Sequence, residues 1–166
     1  MTILERVEGM AAWEPPYDMY ERLAAVFGEE GLDEITDFDN EESLELSFLV
    51  SLNRDRISLS SEALDLLLET GDAYFLGIDI SREKALVTRF FWRYPQGGGG
   101  QQLEISEEAF LPEQAAILNL FQVFADNNDL LVLTKADLEE KVAWEGREVS
   151  LHFKYFHRAF SLEEIK

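Results

Sequence analysis

Cysteine is absent from the 166-residue chain, which excludes a disulfide framework and a metal site built from thiolates. Long apolar runs are absent too, since none approaches the roughly 18 residues that a membrane span needs. The N-terminal segment carries Glu5, Glu8 and Glu14 and has no basic stretch ahead of an apolar one, so it does not look like a signal peptide. These absences predict a cytoplasmic protein that does not cross a membrane.

Basic residues are scarce in this chain. It has 14 lysines and arginines against 34 aspartates and glutamates, and its formal net charge is −20. Residues 1–53 are strongly acidic and contain only Arg6 and Arg22 as bases, whereas residues 54–94 are close to neutral. A charge of this size repels nucleic acid and anionic membranes over most of the surface, so we expect neither as a partner.

Periodicity predicts the elements of the first part of the chain. Helical spacing of apolar residues in PPYDMYERLAAVFGEEG predicts a helix that starts at Pro15–Pro16 and ends at Gly28 or Gly31. Strict alternation predicts a strand in LELSFLVSLN, at 44–53, with a turn at 53–55 into RISLS. A helix over 61–70 with a left-handed stop at Gly71 follows, and then the strands AYFLGIDI and KALVTRFFWRY around a turn at Ser81–Glu83.

A glycine-rich stretch at 95–100 has the composition of a linker. After it, residues 103–110 match residues 57–64 without gaps and share the pattern Ser-x-Glu-Ala. This recurrence predicts a single domain, 1–166, made of two tandem strand–helix–hairpin units, 44–94 and 101–157, that share one core. The second unit then includes a hairpin in NLFQVFADNNDLLVLT.

A proline opposes the second unit, because Pro112 would break its helix. The alternative is one helix that starts near Pro112 and buries Ile117, Leu120, Phe121 and Phe124. KADLEEKVAWEG then forms a short helix or half a hairpin, REVSLHFKYFHRAF forms a last strand, and SLEEIK forms a frayed tail. The chain as a whole predicts the α+β class, with a largely antiparallel sheet and short helices packed on it.

Residues 56–89 resemble the swapped-hairpin motif of AbrB-type proteins. RISLS corresponds to that family's first strand and cap, EALDLL to its short helix, TGD to the stop and YFLGIDISREKALVTR to the closing hairpin. Tandem copies in one chain resemble the MraZ branch. The resemblance implies a homodimer with exchanged hairpins, and DNA binding by a basic surface that holds Arg54, Arg56, Arg89 and Arg93.

Known catalytic and metal-binding patterns are missing from the sequence. His152 and His157 are the only histidines, and their spacing suits a chelate neither on a strand nor on a helix. The acidic stretch at 37–48 lacks the glycine and the final glutamate of a calcium-binding EF-hand loop. The four glycines at 97–100 are not followed by Lys and Ser or Thr, as a phosphate loop requires. We therefore expect no metal and no cofactor; the missing patterns favour a non-enzymatic protein and leave open an enzyme whose site the sequence does not reveal.

The segment TRFFWRYP is the best candidate for a binding surface. On a strand it places Arg89, Phe91 and Arg93 on one face, and arginine beside an aromatic ring is typical of interaction sites. Arg54 and Arg56 are the other candidate binding residues. The same pattern is typical of a core strand with arginines at its edge.

Three functions stay open at this point. The acidic surface favours a non-enzymatic module that binds a protein partner, with nucleic-acid mimicry as its sharpest form. The alternatives are a DNA-binding regulator of AbrB type, and a small-ligand binder or enzyme whose site the sequence does not reveal. A closed apolar pocket with converging polar groups would favour the last of these.

Overall fold

A computed structural model describes residues 1–41, 43–53, 62–97, 102–156 and 162–166 of the chain. Its α-helices are α1 Ile3–Glu8, α2 Met19–Phe27, α3 Glu62–Thr70, α4 Ile117–Asn127, α5 Lys135–Glu139 and α6 Leu151–Tyr155. Its strands are β1 Leu32–Glu34, β2 Glu45–Ser51, β3 Ala73–Ser81, β4 Leu86–Tyr94, β5 Glu104–Ser106, β6 Leu131–Val132, β7 Lys141–Trp144 and β8 Arg147–Ser150. The turn predicted at 53–55 and its following strand fall largely outside the described residues.

The main sheet is an antiparallel meander in the order β1-β2-β3-β4-β5, and β6 pairs in parallel with the first residues of β4. The central pairings are long, because β2 and β3 pair from Glu45↔Ser81 to Ser51↔Phe75, and β3 and β4 pair over nearly their whole length. The α+β class and the mainly antiparallel sheet are therefore confirmed. A separate hairpin is formed by β7 and β8.

Helices α2 and α4 cover one face of this sheet. Alternation along β2, β3 and β4 sends Phe48, Ile78 and Phe91 to that face, where they are almost fully buried. The two helices pack on these residues and on each other, and the rings of Phe27 and Phe124 lie 6.4 Å apart. This layer is the largest apolar core of the described residues, and it anchors the central strands.

Two smaller apolar clusters cover the opposite face of the sheet. One cluster joins Phe90 and Leu86 to α1, α5, α6 and the C-terminal residues, and the other joins Leu49 and Phe75 to α3. Trp92 packs against both clusters. Polar side chains of β2 and β3 lie on this same face, and they line a cavity that is described below.

Several predicted elements are wrong. The first strand of the hairpin predicted at 119–134 is instead part of α4, which follows a 3₁₀ turn at Pro112–Ala116, so this segment is close to the alternative interpretation. The last strand ends at Ser150, whose hydroxyl accepts a hydrogen bond from the Phe153 amide and starts α6. The tail is not frayed, because Ile165 is buried and the amide of Lys166 donates to the carbonyl of Ile105.

Gly71 differs from its predicted role as well. It follows α3 as expected, but it does not adopt a positive φ, so it is not a left-handed stop. Within the predicted linker, Gly97 has a φ of 71° and its amide donates to the carbonyl of Leu68. Residues 95–97 therefore pack against the end of α3, while residues 98–101 are outside the described ranges.

The two tandem units receive no support from the secondary structure. Residues that match at the constant offset differ in kind, since Phe75 lies in β3 and its counterpart Phe121 lies in α4. The prediction of two units that share one core, and with it the exchanged-hairpin dimer, stays a prediction.

Candidate functional site

The predicted binding residues of β4 are occupied by contacts within the protein. Phe91 is fully buried beneath α2 and α4. One guanidinium nitrogen of Arg89 donates to the carbonyl of Glu107 at 2.6 Å, and the guanidinium of Arg93 bridges Asp72 and Glu104. These contacts are typical of a core strand with arginines at its edge.

The electrostatics of the two arginines agree with this arrangement. Burial lowers the pKa of Arg89, and Glu107 opposes that effect. The hydrogen bonds that Arg93 donates to Glu104 and Asp72 raise the pKa of its guanidinium. Arg54 and Arg56, the other two candidates, are outside the described residues. The role of all five residues in binding stays a prediction.

A cavity of about 200 Å³ lies on the opposite face of the sheet. We call it the Glu45 cavity, and its lining combines apolar side chains with carboxyl, hydroxyl and imidazole groups: Ile35, Asp37, Ser43, Glu45, Ser47, Asp79, Phe90, Trp92, Ile105 and His152. Sequence reasoning selected none of these as a binding residue. The cavity lies where the coverings of that face, α3 on one side and α1, α5 and α6 on the other, leave polar strand residues between them.

Strand register brings the polar groups of the cavity together. Glu45 and Ser47 are two residues apart on β2, so both side chains point to the same face. Asp79 on β3 lies directly opposite Ser47 in the antiparallel pairing. The Ser47 hydroxyl donates to Asp79 Oδ1 at 2.6 Å, while Glu45 is the diagonal neighbour of Asp79. Two carboxyl groups and one hydroxyl thus meet at one place on a mostly apolar surface.

The Glu45 carboxyl is buried, and no lysine or arginine of the described residues forms an ion pair with it. The residue is 6% exposed, and among the described residues its Oε2 atom accepts no hydrogen bond. Burial, and after it the negative charge of Asp79, raises the pKa of Glu45 from 4.5 to about 8. The backbone amides of Glu45 and Leu44, and Arg82 at longer range, oppose this increase only in part. At neutral pH the Glu45 carboxyl therefore holds its proton.

Asp79 is the second titrating group of the cavity. Burial raises its pKa to about 6, and the hydrogen bond from Ser47 works in the opposite direction. At neutral pH Asp79 is mainly ionised while Glu45 is mainly protonated. The two carboxyl groups together present one negative charge, one acidic proton and several acceptor lone pairs to the cavity.

An aromatic wall depends on the glycine in β3. Phe90 and Trp92 come from β4, and the Trp92 indole lies directly over Gly77. A Cβ atom at position 77 would lie 2.5 Å from Trp92 Nε1, which is closer than real Cβ atoms come to any heavy atom. Position 77 therefore requires glycine, since any larger residue would displace the indole from the wall of the cavity.

Helix α6 brings His152 to the cavity. The helix begins at its Ser150 cap, and the carboxylate of Glu8 at the end of α1 binds the ammonium group of Lys154 at 3.0 Å. The Tyr155 hydroxyl donates to the same carboxylate. The imidazole of His152 stacks on the ring of Phe156, at 6.1 Å between centroids and 11° between planes. These contacts fix α6, and with it His152, over the polar end of the sheet.

The loop between β1 and β2 forms the rim of the cavity. Asp37 and Ser43 lie in this loop, and Ser43 is 4% exposed. The Ser43 hydroxyl, like Glu45 Oε2, has no hydrogen-bond partner among the described residues. The amide of Leu44 donates to the carbonyl of Phe156 at 2.6 Å, so the loop is tied directly to the end of α6. The acidic stretch that fails as an EF-hand loop thus contributes to a different site.

Metal binding and membrane insertion find no support in the part of the chain that the structure describes. No group of three or more histidine, aspartate or glutamate side chains there has an arrangement that could hold a metal ion. No helix in the same ranges has both the length and the apolar character that crossing a bilayer demands. Comparisons with protein-family models, curated proteins and solved structures found no match to this chain.

Proposed function

We propose that this protein binds a small molecule in the Glu45 cavity. The observation that carries the proposal is the Glu45 carboxyl, which is buried although Oε2 has no partner among the described residues. A buried acceptor atom that loses its hydrogen bond to water and gains none in the protein lowers the free energy of unfolding by roughly 1–3 kcal/mol. A ligand that bonds to Oε2 removes this cost, so the arrangement favours a ligand-binding role.

The surroundings of Glu45 support the same role. Ligand sites are typically apolar cavities with a few polar groups that converge on one region, and this cavity has apolar walls around Glu45, Ser47 and Asp79. Its volume of about 200 Å³ is below the range of drug-sized sites, which indicates a small ligand. The hypotheses of a protein partner and of a DNA-binding regulator make no use of a buried carboxyl group.

A fragment screen followed by NMR tests this proposal. We expect some members of a library of cationic, neutral and anionic fragments to shift the backbone amide signals of Glu45, Ser47 and Asp79. We expect those fragments to leave the signals of the α2–α4 layer unchanged. A library of broad chemistry that shifts no signal around the cavity would show the proposal to be wrong.

Two matched serine variants identify the site. Ser43 and Ser51 are both buried, and neither hydroxyl has a partner among the described residues, but only Ser43 lines the cavity. Ser43→Val should weaken fragment binding roughly two- to tenfold, which corresponds to about one hydrogen bond. Ser51→Val should leave the affinity unchanged. Equal effects of the two substitutions would place the binding site elsewhere.

A further inference from the structure

We propose that the ligand of the Glu45 cavity is a small organic cation, such as a protonated amine, and that its binding expels one proton. This inference rests on the proposed function and names the class of ligand. It depends on the carboxyl groups that line the cavity, on the absence of a lysine or arginine paired with them among the described residues, and on the aromatic wall.

The charges of the lining select against an anion. The cavity is lined by three carboxyl groups, those of Asp37, Glu45 and Asp79, and its described lining contains neither lysine nor arginine. Like charges within a partly desolvated site repel strongly, so an anionic ligand would meet repulsion from the ionised Asp79 carboxylate. A cation would meet attraction from the same group.

Neither Glu45 nor Asp79 forms an ion pair with a lysine or an arginine among the described residues. Arg82 lowers the pKa of Glu45 through its charge, and its guanidinium lies 5.7 Å from the centroid of the Phe38 ring. Buried carboxylates are normally paired with a positive charge, and no lysine or arginine of the described residues takes that position, so it suits a cationic ligand.

The aromatic wall suits the same ligand class. Phe90 and Trp92 line the cavity beside the carboxyl groups, and a cation is attracted to an aromatic ring, most strongly to that of tryptophan. Neutral polar ligands gain less from this combination of rings and acids. A small ammonium group with an apolar substituent uses both the carboxyl groups and the rings.

Proton release follows from the state of Glu45 without ligand. At neutral pH Glu45 holds a proton, and an adjacent ligand cation favours the ionised carboxyl. The binding reaction is therefore Glu45–COOH plus R–NH₃⁺ giving the ion pair Glu45–COO⁻ and R–NH₃⁺, with the proton released to solvent. The other titratable or charged groups that face Glu45 are Asp79 from β3, Asp37 from the rim, His152 from α6 and, at longer range, Arg82.

A set of probes with one shape and three charges tests the ligand class. Benzylamine, benzyl alcohol and benzoate share a ring and a short substituent, and they are cationic, neutral and anionic near neutral pH. We expect benzylamine to shift the cavity signals at concentrations at least about tenfold lower than benzyl alcohol, and benzoate not to bind. Calorimetry in buffers of different ionisation heat should show the release of close to one proton for each benzylamine bound.

The pH dependence separates the cation from a neutral ligand. Benzylamine affinity should rise by up to about tenfold for each pH unit between roughly pH 6 and 8, because one proton leaves on binding. Glu45→Gln should remove this rise and weaken binding at about pH 8 by tenfold or more. Glu30→Gln removes an exposed carboxylate outside the lining, so it should change neither the affinity for benzylamine nor the dependence of that affinity on pH.

The outcomes distinguish the two proposals. If benzylamine and benzyl alcohol bind the cavity equally and no proton is released, the proposal of a cationic ligand is wrong and the proposal of a ligand-binding role still holds. The proposal of a cationic ligand is also wrong if benzoate binds most tightly. A failure of all three probes and of the whole fragment library to shift the cavity signals would overturn both proposals.

Discussion

Replacing Glu45 by glutamine should make the protein more stable at neutral and mildly alkaline pH. The pKa of Glu45 is raised from 4.5 to about 8 in the folded state, so the folded protein holds a proton that the unfolded chain releases. Stability that depends on this group is therefore complete below pH 4.5, is lost as the pH rises toward 8, and then levels off. Glutamine has the shape of the protonated carboxyl group and does not titrate, so the variant avoids this loss.

The size of the effect follows from the two pKa values. Each pH unit between them corresponds to about 1.36 kcal/mol, so between about pH 5 and pH 8 the wild type loses on the order of 3–4 kcal/mol relative to Glu45→Gln. This is a large part of the stability of an ordinary domain, roughly 5–15 kcal/mol. Asp79, whose pKa is also raised, adds a loss of the same sign, which begins at lower pH and ends near pH 6.

Urea denaturation at a series of pH values measures this difference directly. The free energy of unfolding is determined for the wild type, for Glu45→Gln and for Glu30→Gln, which controls for the removal of one charge from a chain of net charge −20. We expect only Glu45→Gln to gain stability over the wild type as the pH rises. If the free energies of unfolding of Glu45→Gln and the wild type differ by an amount that stays constant within about 0.5 kcal/mol from pH 5 to 8, Glu45 is not a desolvated acid.

Three further predictions concern the framework of the cavity, and denaturation measures each of them. Gly77→Ala should destabilise the protein by roughly 1–3 kcal/mol, because its methyl group collides with the indole above it, whereas Gly71→Ala, which has open space and no positive φ, should be neutral or slightly stabilising. Phe124→Ala should cost about 3–5 kcal/mol, whereas Leu120→Ala, on the exposed side of the same helix, should cost less than about 0.5 kcal/mol. Ile165→Ala should cost about 2 kcal/mol or more if the C-terminal residues dock as observed, and a cost near zero would show a frayed tail instead.

Local patterns predicted the central strands well. The alternation in residues 44–53 and the paired apolar runs before and after Ser81 agree with β2, β3 and β4, and the antiparallel class follows from their short turn. The strand period is a local property, because each residue's face is fixed by its neighbours. The helix at Met19–Phe27 was predicted for the same reason, and it ends at Gly28, which has a φ of 86°.

Other segments were ambiguous because two local signals competed. Residues 149–155 alternate as a strand would, but Ser150 caps a helix and the chain turns there into α6. This error also hid His152, which was placed on a strand and not beside a cavity. In residues 117–127 apolar residues are dense enough to fit either period, and packing against α2 selects the helix.

The sequence by itself determined the class of the fold and the faces of the central strands. It did not determine the site, because Glu45 and Ser47 occupy positions in a strand where polar residues normally face water. Asp79 was the one local signal, as the only charged residue in an otherwise buried strand. Whether these groups meet open water or a cavity between packed elements depends on α1, α3 and α6, which come from distant parts of the chain to cover that face. Burial and the proximity of like charges set the pKa values of the two acids, and both exist only after these elements have packed.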